Sequence, residues 1–244
     1  EEVVYSGSDD NEVHKLDFDS ILVWTYSNHS GDIYALVVDK DGYVYSGSWD
    51  GEVHKISPIG NNIWVYTENN SNIYSLAIDN DRFVYSGNGN YEIQKIYQEP
   101  PYSIWRNKEY GSNINAIDID SQYNVISAHD NGDIWITDSD GNKQQSFTDF
   151  SSNVNDVVVD KDGYIYGVGD DPGELHKIDP SASSGSQYIW KYTGFNQYVK
   201  SVAVDDNGYS YVGEAFDGKV YKIDPNGNHV WTYAGHYSHV NAVA

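Results

Sequence analysis

One phrase recurs through this chain. Tyr43-Val-Tyr-Ser-Gly-Ser-Trp-Asp-Gly-Glu-Val-His-Lys-Ile56 returns as Phe83-Val-Tyr-Ser-Gly-Asn-Gly-Asn-Tyr-Glu-Ile-Gln-Lys-Ile96, a period of about forty residues. A period of that length means that one supersecondary unit is copied and stacked on itself, because a single unit cannot bury its own apolar faces.

The tryptophans set the phase. Trp24, Trp64, Trp105, Trp190 and Trp231 follow one another at spacings of 40, 41, 85 and 41. The long interval divides at Gln145, since Gly141-Asn-Lys-Gln-Gln-Ser-Phe-Thr148 aligns with Gly60-Asn-Asn-Ile-Trp-Val-Tyr-Thr67. Six repeats result.

Within the second repeat, turn residues separate four short apolar runs, Ile33–Val38, Tyr43–Ser48, Glu52–Ile56 and Ile63–Tyr66. Asp39-Lys-Asp-Gly42 has the composition of a hairpin loop ending in a left-handed glycine, and Asp50-Gly51 and Pro58-Ile-Gly-Asn61 mark the next two turns. Helices are excluded, because the apolar residues alternate or run together and Gly, Asn and Asp interrupt them every ten residues or so. Tyr43, Val44 and Tyr45 are apolar in succession, so each sheet has to be covered on both faces. Radial stacking of four-stranded antiparallel blades does this and leaves only short edges. The expectation is an all-β, six-bladed β-propeller in a single domain spanning residues 1–244.

The ends fit a circle. The closing stretch Ser238-His-Val-Asn-Ala-Val-Ala244 matches only a first strand, Asp32-Ile-Tyr-Ala-Leu-Val37, whereas Glu1-Glu-Val-Val-Tyr-Ser-Gly7 matches a second. A split blade is expected, with C-terminal strand 238–244 joining N-terminal strands 1–26. A chain that opens inside a strand and contains no Met reads as a mature or excised piece.

The phrases Tyr45–Ile56 and Asp217-Gly-Lys-Val-Tyr-Lys-Ile-Asp-Pro-Asn-Gly-Asn-His-Val-Trp-Thr-Tyr233 resemble the quinoprotein-type, or PQQ-like, propeller repeat, and the similarity runs along the whole chain. That resemblance implies the fold and leaves the function open, since the architecture carries dehydrogenases, assembly scaffolds and adhesive modules. The quinone-dependent enzymes resemble eight-bladed discs, many with a vicinal cysteine pair; here there are six repeats and no cysteine, so no quinone or other cofactor is expected. Ser48-Trp-Asp-Gly51 also resembles the WD repeat, but it occurs once and in mid-blade.

Charge narrows the partners. A net charge of −23, from 37 acidic against 14 basic residues, opposes nucleic-acid phosphate and anionic lipid. No apolar run of eighteen residues exists to cross a membrane as a helix. Such self-repulsion is screened in molar salt, where the Debye length is roughly 3 Å, and abundant Asp with two arginines fits a halophilic source.

Several constellations read as structure. The Asp-x-Asp-Gly turns at 39–42 and 160–163, with Asp138-Ser-Asp-Gly-Asn142, lack the later oxygen ligands and twelfth-position Glu of a calcium loop. Lys15, Lys55, Lys95, Lys177 and Lys222 recur at one blade position, with Ile136 the exception, and should lie along the blade with the ammonium on a carboxylate. His14, His54 and His176 share the neighbouring position in separate blades, too far apart to ligate one metal, so no metal site is expected. No nucleophile elbow, P-loop or metal motif is present, and no catalytic residue is nominated.

Recognition is expected where the repeat fails. The second residue of each innermost strand reads Tyr34, Tyr74, Asn115, Asn155, Lys200 and Asn241, a polar set expected to line a channel mouth and to include no carboxylate. The loops between second and third strands bear Trp49, Tyr91, His129 and Phe216, and variable loops on a rigid frame are where binding is built. Together these ten are the candidate ligand-binding residues, the aromatics being suited to stacking on a sugar or anchoring a protein. The expected function is a non-enzymatic binding or scaffold module, extracellular or on a cell or virion surface, serving adhesion or receptor and glycan recognition. The alternatives are a metal-assisted hydrolase or lactonase at the channel mouth, and a structural subunit of a larger assembly.

Overall fold

The computed structural model describes residues 3–170, 173–183, 185–236 and 238–243. Twenty-three strands and no helix are found among them. The first sheet holds β1 (Val3–Gly7), β2 (Val13–Asp17) and β3 (Leu22–Tyr26). The second holds β4 (Ile33–Val38), β5 (Val44–Ser48), β6 (Val53–Ile56) and β7 (Asn62–Tyr66), and the third β8 (Ile73–Ile78), β9 (Val84–Asn88), β10 (Ile93–Gln98) and β11 (Pro101–Asn107). The fourth is β12 (Ile114–Ile119), β13 (Val125–His129), β14 (Ile134–Thr137) and β15 (Lys143–Phe147). The fifth is β16 (Val154–Val159), β17 (Ile165–Gly169), β18 (Glu174–Ile178) and β19 (Tyr188–Tyr192). The sixth is β20 (Val199–Val204), β21 (Ser210–Glu214), β22 (Val220–Ile223) and β23 (His229–Tyr233).

Every sheet is antiparallel with strands in chain order, which is the blade order of a six-bladed propeller. Each strand of the second blade starts within one residue of the expected position. The first blade is three-stranded, and residues 238–243 form no strand; Ala244, Glu1 and Glu2 lie outside the described residues. Instead of a ladder, the Val240 N–H makes a bond of 3.3 Å to the Glu214 carbonyl and its side chain is buried. Backbone contacts cluster in two compact units, Glu1–Ile114 and Asn115–Ala244.

Glycine couples neighbouring blades at several joints, whereas Ala128 and Val168 hold the same ladder position in the fourth and fifth blades. A Cβ on Gly47 would lie 2.5 Å from Cγ2 of Ile73, and one on Gly87 would lie 2.6 Å from Cγ2 of Ile114, so only glycine lets the next first strand come this close. Gly213 holds Val240 in the same way, with a Cβ there 2.8 Å from Cγ1. The C-terminal segment thus keeps the register expected from its match to Ile33, without the ladder.

Central strands are the driest. Val44 and Tyr45, adjacent and pointing to opposite faces, are both fully buried, as the unbroken apolar run requires. Trp24 Nε1–H and Lys15 Nζ both donate to the Pro58 carbonyl of the following blade, at 3.1 and 3.2 Å. Trp190 repeats the link to Pro225 at 2.9 Å.

Lys15, Lys55, Lys177 and Lys222 lie along their blades against ring faces, and among the described residues none of these four is ion-paired with the expected carboxylate. Lys55 Nζ stands 4.5 Å from the Tyr43 centroid and 5.5 Å from that of Tyr45, and it donates to Gln98 Oε1 at 2.8 Å. Lys177 and Lys222 are seated likewise over Tyr164 and Tyr209, at 4.4 and 4.2 Å. The aromatic pair flanking each central strand supplies the negative face that a carboxylate would have supplied. The hairpin carboxylates serve the turns: Asp39 Oδ1 accepts the Asp41 and Tyr43 N–H groups at 3.0 and 2.9 Å, and Oδ2 accepts the Tyr45 hydroxyl at 3.1 Å.

Candidate functional site

A bulge aims the second residue of a first strand out of its sheet. Ile33 pairs with Ser48 and Ala35 with Gly47, so Tyr34 has no partner across the ladder. The same irregularity frees Tyr74, Asn155 and Lys200.

In the first unit this brings candidate residues together. The Tyr34 ring lies 5.9 Å from that of Trp49, on the β5–β6 turn, and 5.8 Å from that of Tyr74, tilted by 53° and 46°. Tyr34 is 40% exposed and Trp49 54%. The row continues onto the β9–β10 loop, where a Cβ on Gly89 would touch Tyr74 Cε2 at 3.2 Å and where the exposed Tyr91 stands at a φ of +65°. Gly51 holds that place in the preceding blade, at +81°. Burial and the carboxylates of Asp32 and Asp9 push the Tyr34 phenol above its ordinary range.

The second unit uses its candidates differently. Asn115 Nδ2 donates to Asp130 Oδ1 at 2.8 Å and to the Val154 carbonyl at 2.9 Å, where the next first strand begins. Asn155 repeats the arrangement with Asp170 and with the Val199 carbonyl, the latter at 2.7 Å. Both amides clamp neighbouring blades. Lys200 is half-buried at its bulge and Asn241 is exposed. Phe216, exposed, packs against Tyr198 at 5.7 Å and His239 at 4.7 Å, a smaller aromatic cluster.

His129 corrects an expectation. It ends β13 and is fully buried, not carried on the loop, with Ser127 Oγ 2.8 Å from Nε2. Burial, reinforced by Lys143, pushes its imidazole down to about 3. Carboxylates also stand on two first strands, outside the second-position set. Asp118 Oδ2 accepts the Val159 N–H and Asp156 Oδ2 the Val202 N–H, at 2.8 and 2.9 Å, each from the next blade. Burial raises both, Asp156 to about 7.

Sequence reasoning also missed a buried cluster. His29, Asp50 and His54 offer ligand atoms within 4.8 Å of one another, and Asp10, Glu12 and His14 do so at the surface. His29 Nδ1 lies 3.0 Å from Asp50 Oδ2 and Nε2 2.7 Å from Ser46 Oγ; His54 Nε2 lies 2.9 Å from Glu52 Oε2 and Nδ1 2.6 Å from the Tyr26 hydroxyl. The four oxygens could satisfy both rings without a charge on either, with Nδ1–H of His29 and Nε2–H of His54 donating to carboxylates and the hydroxyls donating to the remaining nitrogens. The ring planes are nearly parallel, so their in-plane lone pairs do not converge on one ion. Burial would raise Asp50, yet the His29 bond and the Ser30 and Glu52 N–H groups hold it below the usual carboxylate range. Burial and His29 together push His54 down against the pull of Glu52.

The slot is a structural repeat. In the third blade Gln94 accepts the Tyr66 hydroxyl at 2.6 Å and Asn69 the Ser86 hydroxyl at 2.9 Å. Phe150 on His176 fills it in the fifth blade, centroids 4.1 Å apart.

A family model described as WD domain, G-beta repeat matches residues 20–55, from β3 through Trp49-Asp50 to β6. No curated protein matches the chain. Six sheets in blade order and this repeat define a chain of β-propeller repeats.

Proposed function

We propose that the chain is a single-domain, non-enzymatic propeller with PQQ-like repeats that presents a binding surface, and that the surface is the aromatic row Trp49–Tyr34–Tyr74 with Tyr91 beside it. The observation that carries this reading is that exposed Tyr34 on a strand bulge lies beside exposed Trp49 on a turn and half-buried Tyr74 on the next bulge, within one compact unit. Large amphipathic rings give much contact area for little lost freedom, and they dominate recognition surfaces when they cluster. The repeat match supports the same reading, because WD-type propellers typically serve as scaffolds for protein contacts. The partner is a protein or a glycan at a cell or virion surface, met by an extracellular module that belongs to a larger assembly.

The test is binding of the purified chain to arrays of immobilised glycans and peptides, with wild type beside Tyr34→Leu/Trp49→Leu. Ligands held by wild type and lost by the folded double variant support the row. A profile unchanged by the double variant removes it.

A further inference from the structure

The ligand class of this row is readable from the charge around it, an inference that rests on the row being the binding surface. Tyr34, at its centre, lies in the field of Asp32 and Asp9. Among the described residues neither carboxylate is ion-paired, whereas the arginines of this unit are occupied elsewhere, Arg82 with Asp41 and Arg106 with Glu68. Lys55 is buried over its own tyrosines. The row therefore combines exposed π-faces with uncompensated negative charge in a chain of net charge −23.

We infer that the row binds a cationic side chain, so that its partner is a protein segment bearing lysine or arginine laid across Tyr34 and Trp49. A ring face attracts an ammonium or guanidinium through its quadrupole, and Asp32 and Asp9 add a Coulomb attraction of the same sign. The blades already use this chemistry internally, where Lys177 and Lys222 rest on tyrosine faces. A neutral sugar would gain the stacking and could donate hydroxyls to the carboxylates, but it would gain no Coulomb attraction from them. In molar salt the carboxylate share is screened beyond roughly 3 Å. Contact with the ring faces persists there.

Tetralysine and its fully Nε-acetylated form separate these cases, being alike in length and different in charge. Binding to wild type, Tyr34→Leu/Trp49→Leu and Phe18→Leu is followed by calorimetry in dilute buffer, with melting temperatures verifying the fold. The double variant keeps the net charge, so general attraction to an acidic surface is unchanged in it. Tetralysine should bind wild type and Phe18→Leu alike, bind the double variant about fivefold or more weakly, and outcompete the acetylated peptide. Equal tetralysine binding to wild type and the double variant would overturn the inference, because the rings would then contribute nothing to cation binding. Equal binding of the two peptides would also overturn it, because charge would then not be read. In either case a glycan lost by the double variant on the arrays would leave the row as a binding surface and remove only the cation.

Discussion

His29 lies face to face on His54, ring centroids 3.7 Å apart and planes within 20°, and both rings are buried. Other blades fill this slot with amides or with groups that include phenyl rings, so its primary role is packing between a linking segment and a third strand. Placing two imidazoles there couples the packing to protons. A neutral pair could be satisfied by the surrounding oxygens, and a second positive charge would face the first across a stacking distance.

Acid should therefore weaken the fold through its histidines, against an opposite contribution from Asp118 and Asp156, whose raised carboxyls take up protons first in the folded chain. His54 and His129 are both held below the ordinary histidine range, so below about pH 6.5 the unfolded chain takes up protons that the folded chain refuses. Stability from these groups is full above that pH and falls by about 1.4 kcal/mol per pH unit for each such proton. Urea unfolding from pH 7 to 4 measures the slope. His29→Asn/His54→Gln, which copies Asn69 and Gln94, should fold at pH 7 and lose part of it; an unaltered slope would remove the pair from the explanation.

Asn115→Ala should cost about 1–3 kcal/mol, since it removes two bonds and leaves the Val154 carbonyl short of a donor. Denaturant midpoints at pH 7 report it. A variant as stable as wild type would return Asn115 to the ligand-binding candidates.

Tyr91→Gly should stabilise the chain by about 1 kcal/mol, because a non-glycine residue at φ +65° is strained where Gly51 is not. The row should at the same time bind its ligands less well. A fall in melting temperature would show that the Tyr91 ring earns its place through packing.

Raising sodium chloride from dilute to molar should raise the melting temperature, since screening relieves repulsion among surface carboxylates. A flat curve would count against a halophilic origin.

Strands and turns were legible because each carries its own local signal: Gly42 at the hairpin, Asp39 bonding back to its own turn, and apolar residues on both faces of β5. Tyr34, Trp49 and Tyr74 could be nominated as breaks in the repeat, but their adjacency depends on a bulge that no residue type announces. The Asn115 clamp depends on a carbonyl 39 residues away and the histidine stack on residues in separate elements. Aligning the blades would have exposed the stack, because Asn69 and Phe150 stand where His29 does, and Gln94 and His176 where His54 does. Paired changes of this kind between copies within one chain mark contact.

The glycine notches carry a wider consequence. A branched aliphatic side chain plugs into a missing Cβ at Gly47, Gly87 and Gly213 alike, so the joint is repeated wherever this ladder position is glycine, while Ala128 and Val168 hold it in the fourth and fifth blades. A gene segment encoding a glycine-bearing blade carries both plug and socket, so duplication yields a copy already fitted to its neighbours. Rim residues are then free to diverge without renegotiating the joint, which is how a monotonous chain can evolve one distinctive face.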